Sequence, residues 1–231
     1  TASSNLLVLV DGRRLNLPDL SGTDWLQIPL SRVDRIEVTR GGRGSVLYGD
    51  NATGGTINII TNDGTLHKNS VSLHGGSYST FDLSASLNGS VENLSYAFTG
   101  NYGTSDGYRD NGNMEGGNAG ITLKMEPNKL FMTTLSAGFH TDRTGLPGKL
   151  TTQELNDGLS REKTLTPNEF AEVDDLYFMV QPQLAVSKTS HLQLDLSYRQ
   201  RNSLFFSSFA GGTFDGDTTI GTFAVSPKMV L

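Results

Sequence analysis

The sequence contains no cysteine, so a disulfide framework and thiolate metal sites are both excluded. Basic residues are also in the minority, with 18 Lys and Arg against 24 Asp and Glu and a formal net charge of −6. A general nucleic-acid binder needs a basic surface that displaces counterions. The charge therefore argues against nucleic acid as a partner and favours small molecules or proteins.

Long hydrophobic runs are missing as well. The strongest run, Leu6–Val10, is far shorter than the roughly 20 residues that a membrane-spanning helix needs. Any crossing of a membrane must therefore use strands. The chain also begins without a methionine or an apolar signal segment, and we expect it to be excised from a longer protein.

Glycine, in contrast, is abundant, with 27 residues, whereas only 35% of the residues are hydrophobic. Its densest cluster separates two β-branched runs, Ile36–Thr39 and Thr56–Thr61, which predict strands. The cluster consists of Gly41, Gly42, Gly44, Gly49, Gly54 and Gly55. Because glycine permits left-handed or closely packed backbone, the cluster predicts a constrained turn. A phosphate-binding loop is excluded, since the Gly-Lys-Ser/Thr ending is absent.

The residues around this cluster predict a small α+β domain over residues 1–64. Leu6–Val10 is typical of a buried strand, and Asp11-Gly12 is typical of a tight turn with positive φ. A short helix is expected within Leu20–Arg35 and a helical turn near Ser45–Tyr48. Residues 62–64, Asn-Asp-Gly, form the predicted linker to a second domain over residues 65–231.

From His67 onward, polar and apolar residues alternate with a period of two, which is typical of strands with one polar face and one apolar face. The first alternating run is Val71–Ser77 and the last is Ile220–Met229. Between them lie six further runs, so we predict eight strands. A soluble β-sandwich alternates in the same way, and the pattern alone does not separate it from a membrane barrel.

The lengths of the connections favour the barrel. Short connections are predicted near Glu92-Asn93, Glu126–Lys129 and Ser187–Ser190, and long ones near Ser105–Glu115, Thr144–Asp175 and Leu204–Thr218. Outer-membrane barrels have short periplasmic turns and longer extracellular loops. A barrel of about eight strands is filled by its own side chains and has no room for a separate domain. We therefore expect the first part of a larger barrel.

One motif resembles a known family. The residues Arg35-Ile36-Glu37-Val38, Arg40-Gly41, Leu47-Tyr48-Gly49, Ala52, Gly54-Gly55 and Ile57-Asn58-Ile59-Ile60-Thr61 resemble the end of the plug domain of TonB-dependent outer-membrane receptors. That family has the pattern R-I-E-V-x-R-G, a loop, and then L-Y-G-x-x-A-x-G-G-x-I-N-I-I-T. Gly42 departs from the pattern, since proline is frequent at its position.

The resemblance implies a mainly β fold, in which part of a small α+β plug domain precedes about eight strands of a larger antiparallel transmembrane β-barrel. It also implies a non-enzymatic receptor in the outer membrane of a Gram-negative bacterium, without a resident cofactor. Such a receptor takes up a scarce nutrient, such as a ferric siderophore or another metal chelate, or cobalamin. The implied partners are that nutrient, outer-membrane lipid, and TonB, which pulls a segment expected before Thr1.

The resemblance further implies a latch between plug and barrel, to which we assign Arg40 and Glu37. The matching arginine is thought to pair with glutamates of the barrel wall, and we expect the main partners beyond Leu231. Asp82 and Asp195 are weaker candidates within the chain. The plug motif itself comprises Gly41, Tyr48, Gly49, Gly54, Gly55 and Asn58.

Other candidate sites have simpler explanations. The four histidines lack metal-ligand spacing and no catalytic constellation is present. His74 and His140 have lumen parity and could touch a metal-chelate ligand, but solvated interior histidines are the simpler explanation. The loop Asp106–Asn113 could supply oxygen ligands to calcium, but its residues fit polar turn chemistry better. Arg199 and Arg201 share lumen parity with Asp195; they either line a channel or belong to an ion-pair network that holds the wall. Their roles stay open.

Two alternative functions remain at this level. A passive porin-like or adhesin barrel would have no plug and no dependence on an energiser. A soluble carbohydrate-binding β-sandwich would need no detergent. The identity of a transported substrate cannot be read from these residues, and no ligand-binding residue is assigned.

Overall fold

A computed structural model describes residues 6–16, 23, 25–28, 33–41, 52–65, 69–209 and 211–230. These residues form a four-stranded sheet and an eight-stranded sheet. The smaller sheet contains β1 (Leu6–Val10), β2 (Arg13–Arg14), β3 (Val33–Arg40) and β4 (Gly55–Thr61), in the order β2-β1-β4-β3. Strand β1 runs parallel to β4, while the β1–β2 and β3–β4 pairs are antiparallel.

The core of the smaller sheet is centred on β1, which is buried on both faces. Val8 and Val10 pack with Leu15 and Ile59 on one side, and Leu7, Leu9 and Ala52 form a second cluster. A strand covered on both faces has no need of a polar side, which explains its continuous apolar run. The predicted buried strand Leu6–Val10 is therefore confirmed.

The predicted helix within Leu20–Arg35 is wrong for its last residues. Val33 and Arg35 belong to β3, where they pair with Thr61 and Ile60 of β4. A single 3-10 turn, Trp25–Gln27, occupies part of the expected range, and most of the remainder lies outside the described residues. The β-branched residues Val33, Ile36 and Val38 suit a strand, and pairing with β4 extends it toward the N-terminus. The helical turn predicted near Ser45–Tyr48 also lies outside the described residues.

The larger sheet is an antiparallel meander in which each strand pairs with the next. Its strands are β5 (Ser70–Gly75), β6 (Phe81–Val91), β7 (Leu94–Ser105), β8 (Met114–Met125), β9 (Phe131–Gly145), β10 (Phe170–Ala185), β11 (His191–Phe209) and β12 (Gly212–Val230). The prediction of eight alternating strands is confirmed. The boundary at residue 64 stays a prediction, although it falls between the end of β4 and the start of β5.

The two faces of the larger sheet differ in chemistry. One face exposes large apolar side chains, among them Leu73, Phe98, Phe178 and Phe223. The opposite face carries buried polar residues, including Asn88, Asp175 and Arg199, and the smaller sheet lies against it. We call these the outer face and the lumen face. No helix among the described residues is long and apolar enough to cross a membrane.

The predicted asymmetry of the connections holds in part. Residues 106–113 and 146–169 form long connections at one end of the sheet, and the second contains a short helix, α1 (Thr152–Asn156), with a capping box between Thr151 and Glu154. The long connection predicted over Leu204–Thr218 is wrong, because β11 and β12 continue until only residues 210 and 211 separate them. Serine, glycine and threonine made this stretch look like a loop, whereas its residues pair continuously between β11 and β12.

Candidate functional site

The turn between β1 and β2 projects toward the lumen face of the larger sheet. Asp11 and Gly12 have positive φ angles of 52° and 86°, as predicted for a tight turn. The Asp11 carboxylate accepts hydrogen bonds from the backbone N and Oγ1 of Thr61, both at 2.8 Å. These bonds tie the turn between β1 and β2 to the end of β4.

The hairpin meets a buried ion pair on the wall. Nε of Arg199 on β11 lies 3.0 and 2.9 Å from the two carboxylate oxygens of Asp175 on β10. Asp175 is 2% exposed and Arg199 is 7% exposed. Buried charges require satisfied partners, because removing either one leaves the other desolvated and unpaired. Cross-strand geometry satisfies this pair within the wall itself.

The remaining donors of the ion pair bind the smaller domain. Nη1 of Arg199 donates to the backbone oxygen of Leu15 at 3.2 Å, and Nη2 donates to Oε1 of Gln27 at 3.2 Å. The Gln27 amide in turn donates to Asp175 at 3.2 Å. The ion pair thus links three parts of the chain that are far apart in sequence, and we call Arg199, Asp175 and Gln27 the wall anchor.

Arg13 makes a second buried contact beside the wall anchor. Its guanidinium carbon lies 3.9 Å from the ring centroid of Tyr177 on β10. Burial lowers the pKa of Arg13 from its usual value, and neighbouring Arg199 acts in the same direction, whereas Asp175 and Asp11 oppose them. A cation over an aromatic face gains most when it is desolvated, and Arg13 is 7% exposed.

A third contact involves Gln181, whose amide donates to the backbone oxygen of Asp11 and to the Asp195 carboxylate, both at 3.1 Å. Asp195 also accepts hydrogen bonds from Gln193 and from Lys228. The lumen position of Asp195, Arg199 and Arg201 is confirmed, but Asp195 pairs with Lys228 and Arg199 pairs with Asp175. Of the two interpretations of Arg199, the ion-pair network is the correct one.

Several residues of this interface were not singled out from the sequence, namely Arg13, Gln27, Asp175, Tyr177 and Gln181. Asp175, Tyr177 and Gln181 occupy alternate positions of β10, which gives all of them lumen parity. The sequence pattern therefore contained a signal for the wall residues. It contained none for the side chains of the smaller domain, because their partners lie more than 140 positions away, as for Gln27 and Asp175.

A polar cavity of about 500 Å³ lies between the smaller domain and the wall. Its lining includes Asp11, Asn58, Asp63, Lys124 and Gln181. Nζ of Lys124 on β8 lies 3.1 Å from a carboxylate oxygen of Asp63 in the linker. The two domains are thus joined by ion pairs and hydrogen bonds around a polar space, and not by an apolar interface.

The glycines of the plug motif have specific structural roles. Gly55 has a φ of 139°, and a Cβ there would lie 2.5 Å from the backbone oxygen of Thr39. The backbone N of Gly41 donates to the oxygen of Gly54 at 3.3 Å, and Oδ1 of Asn58 accepts from the backbone N of Gly12 at 3.3 Å. Close approach of β3 and β4 therefore requires glycine at 55. Tyr48 and Gly49, the other predicted motif residues, lie outside the described residues.

The predicted latch residues are not brought together. Glu37 accepts a hydrogen bond from Nε of Arg35 at 2.9 Å. Arg40 is exposed at the end of β3, and it makes no ion pair with any residue that the structure describes. Asp195, one of its candidate partners, is engaged by Lys228. The latch stays a prediction.

The long connections form a cluster at one end of the sheet. Nη2 of Arg109 donates to the backbone oxygens of Pro147 and Lys163 at 3.0 and 2.8 Å. The Asn111 side chain donates to the oxygens of Thr166 and Glu169 at 2.7 and 2.8 Å. The loop considered for calcium thus holds the neighbouring connection through polar contacts, and among the described residues no group of side chains is arranged to hold a metal ion.

Glu169 fastens the loop cluster to the end of β11. Its carboxylate accepts hydrogen bonds from the backbone N and Oγ of Ser208, both at 2.8 Å. The backbone N–H of Ser208 is the main cause that lowers the pKa of Glu169 from its usual value. The carboxylate is therefore held in its charged form, at a position where it joins β10 to β11.

The histidines with lumen parity differ in their surroundings. His140 is 5% exposed, and its ring nitrogens lie 2.9 Å from Oδ1 of Asn118 and 2.8 Å from Oδ1 of Asp142. His74 is exposed on β5. His140 is therefore a buried, hydrogen-bonded part of the wall, and the expectation of a solvated interior histidine is wrong for it.

Comparison with known proteins gives the class of this fold. Residues 1–56 match the family of the TonB-dependent Receptor Plug Domain. The ferric citrate transporter FecA in its unliganded form superposes with a TM-score of 0.82 at 16% identity, over 98% of this chain and 35% of that chain. The ferric yersiniabactin uptake receptor FyuA from Yersinia pestis gives a TM-score of 0.80 at 17% identity, over 98% of this chain and 37% of that one.

A third structure, the siderophore receptor PiuA from Acinetobacter baumannii, gives a TM-score of 0.72 at 14% identity, over 99% of this chain and 35% of that chain. The smaller sheet is a plug domain, and the larger sheet is part of the wall of an antiparallel barrel. Residues 1–56 thus match a TonB-dependent receptor plug domain, and the chain as a whole shares its fold with the corresponding part of the matched structures. It spans about a third of the length of the solved structures that it matches.

Proposed function

We propose that this chain belongs to an outer-membrane receptor of a Gram-negative bacterium that takes up a scarce nutrient, such as a ferric siderophore, with energy delivered through TonB. The observation that carries the proposal is the plug domain fixed to the lumen face by the wall anchor. A plug held by buried charges blocks passive flow, so passage of a ligand requires work on the plug. We expect no catalytic activity.

The chemistry of the interface supports a plug that is secured but removable. Its contacts are hydrogen bonds and ion pairs around a polar cavity of about 500 Å³, and water can replace such contacts when the plug moves. An apolar interface of the same size would gain from staying closed. A pull on the segment before the plug would have to break the bonds from Arg199 to Leu15 and Gln27.

A ferric chelate is the ligand class that we favour. The matched structures include proteins described as a ferric citrate transporter and a ferric yersiniabactin uptake receptor. Cobalamin remains an alternative ligand that no observation supports. The passive barrel predicts no plug, and the soluble sandwich predicts a second sheet against the outer face, whose apolar side chains are exposed within the described residues.

Uptake by whole cells tests the proposal. The full-length receptor is expressed in cells that lack other iron-chelate receptors, and accumulation of iron-labelled chelates is followed with and without a protonophore. We expect binding to persist and uptake to stop when the proton gradient is abolished. Uptake that is indifferent to the protonophore would favour the passive barrel.

The orientation of the chain is tested by cysteine labelling of Asn156, which is exposed in α1. Asn156→Cys should react with an impermeant reagent on intact cells. Lys188→Cys, in the short connection at the opposite end of the sheet, is the matched control and should react only after the outer membrane is opened. The reverse pattern would invert the proposed topology.

A further inference from the structure

A glycine lies in the middle of β9 on the lumen face. Gly138 shares this face with His140, because alternate residues of a strand point to the same side. It is buried, and it pairs with Tyr177 of β10 on one side and with Gly120 of β8 on the other. Glycine weakens the interior of a strand, since it adds no side chain to pack and loses more conformational freedom than other residues. Its presence here therefore calls for a specific reason.

The ring of Tyr177 occupies the space that a side chain at position 138 would need. A Cβ at Gly138 would lie 2.5 Å from Cε1 of Tyr177, and 2.9 Å from both Cζ and the phenolic oxygen. Real Cβ atoms essentially never approach other heavy atoms this closely. The ring thus leans from β10 across β9 and covers the glycine, as aromatic side chains do beside glycines in other sheets.

The plug contacts the same ring from the lumen. The guanidinium carbon of Arg13 lies 3.9 Å from the ring centroid of Tyr177. A cation is attracted to the face of an aromatic ring and not to its edge. Strand side chains usually stand upright on the sheet, and an upright ring would turn its edge toward the plug. A ring that lies over Gly138 offers its face to Arg13 instead.

A second pair of glycine and tyrosine lies on the outer face. Gly89 of β6 is paired with Tyr96 of β7, and a Cβ at Gly89 would lie 2.5 Å from the phenolic oxygen and 2.7 Å from Cζ of that tyrosine. This pair shares its face with Leu87 and Phe98, which are exposed apolar residues, whereas the plug lies against the opposite face. It therefore has the same local geometry without a partner in the plug.

We propose that Gly138 is a positioning residue for the docking of the plug. By leaving out a side chain, it sets the ring of Tyr177 at the height and tilt at which Arg13 stacks on it. Any side chain at position 138 displaces the ring, because the end of a tyrosine side chain moves more easily than a paired strand. This inference rests on the proposed function, in which the plug stays docked until it is pulled.

Hydrogen exchange of β1 in the full-length receptor tests the proposal. Gly138→Ala should make the exchange of β1 about tenfold faster, because the contact between Arg13 and the ring is lost. A crystal structure of this variant should show Tyr177 displaced and the register of β9 and β10 unchanged. Gly89→Ala is the matched control, since it disturbs a similar tyrosine that does not face the plug, and it should leave the exchange of β1 unchanged.

Double variants separate positioning from a general effect of glycine on the strand. In the background of Tyr177→Leu or of Arg13→Met, Gly138→Ala should add little to the exchange of β1, because the stacked contact is already absent. An equal acceleration in these backgrounds overturns the proposal, and so does unchanged exchange in the single variant. A Gly138→Ala receptor that does not assemble in the membrane also overturns it, since the strand would then need glycine irrespective of the plug. Failure of the proposed function is seen separately, as uptake by the wild type that a protonophore does not reduce.

Discussion

The two sides of the plug differ in how they are held. On one side the β1–β2 hairpin contacts the wall through Arg13, Arg199 and Asp175, all of which are buried. On the other side β3 is an edge strand, and its residues Ile36 and Val38 are 59% and 62% exposed. Arg40 shares their face and is exposed as well. We call these the docked side and the open side.

The difference shows that the residues of the family motif are not the residues that fix the plug to this wall. The strongest family motif runs along β3 and β4, yet the buried charges that fix the plug to this wall belong to residues outside the motif. Unpaired strand edges and exposed apolar residues are typical of surfaces that another protein segment covers, and β3 combines both with a cation. We propose that further barrel wall covers the open side and supplies the carboxylates that pair with Arg40.

The largest expected effect is on the docked side. Asp175→Ala should destabilise the plug by about 3–5 kcal/mol, because Arg199 is then buried without its counter-ion. Hydrogen exchange of β1 in the full-length receptor measures the effect. Asp174→Ala, which removes a carboxylate from the outer face, is the control and should leave exchange unchanged. Equal exchange in both variants would show that the wall anchor does not hold the plug.

A smaller loss of stability is expected from substitutions at the glycines of the plug motif, where β3 approaches β4. Gly55→Ala should destabilise the plug by about 1–3 kcal/mol, because the new Cβ meets the backbone oxygen of Thr39 at 2.5 Å in a strained conformation. At Gly41 a new Cβ would have no atom within 4 Å, so only the positive φ of 69° opposes the substitution Gly41→Ala. The melting temperatures should therefore fall more for Gly55→Ala, and the reverse order would contradict the close-approach explanation.

Tyr177→Leu should lower the stability of the plug by less than Gly55→Ala does. The substitution keeps an apolar side chain of moderate size but removes the ring beneath Arg13, which is worth about 1–2 kcal/mol when desolvated. A double-mutant cycle with Arg13→Met isolates this pairwise contribution from the loss of packing. A coupling energy near zero would mean that the ring contributes only packing to the docked side.

The smallest effect on stability is expected on the open side. Arg40→Ala should change the melting temperature little, since an exposed arginine contributes about 0–1 kcal/mol, yet it should alter uptake while ligand affinity stays nearly intact. Lys188→Ala is the control, because it removes an exposed cation from a short connection of the larger sheet, away from β3. Unchanged uptake and unchanged exchange in the plug would contradict the latch.

Periodicity accounts for the successes of sequence reasoning. The alternating residues of β6 to β12 assign each side chain to the outer or the lumen face, and the continuous apolar run of β1 marks its burial on both faces. The predictions that were wrong concern the ends of strands. Val33 and Arg35 joined β3 through pairing with β4, and the stretch Leu204–Thr218 formed strand because β11 and β12 pair with each other along their whole length.

The sequence by itself determined the strand pattern, the plug motif and the polarity of each face, since these follow from residue type and local spacing. Only the tertiary structure decided the partners of the buried charges. Arg199 shares lumen parity with Asp195 on its own strand, but twist and register bring it to Asp175 on β10 and to Leu15 of the plug. Such pairings depend on distances between segments that are far apart in the chain, and a buried charge is stable only where that geometry supplies its partner.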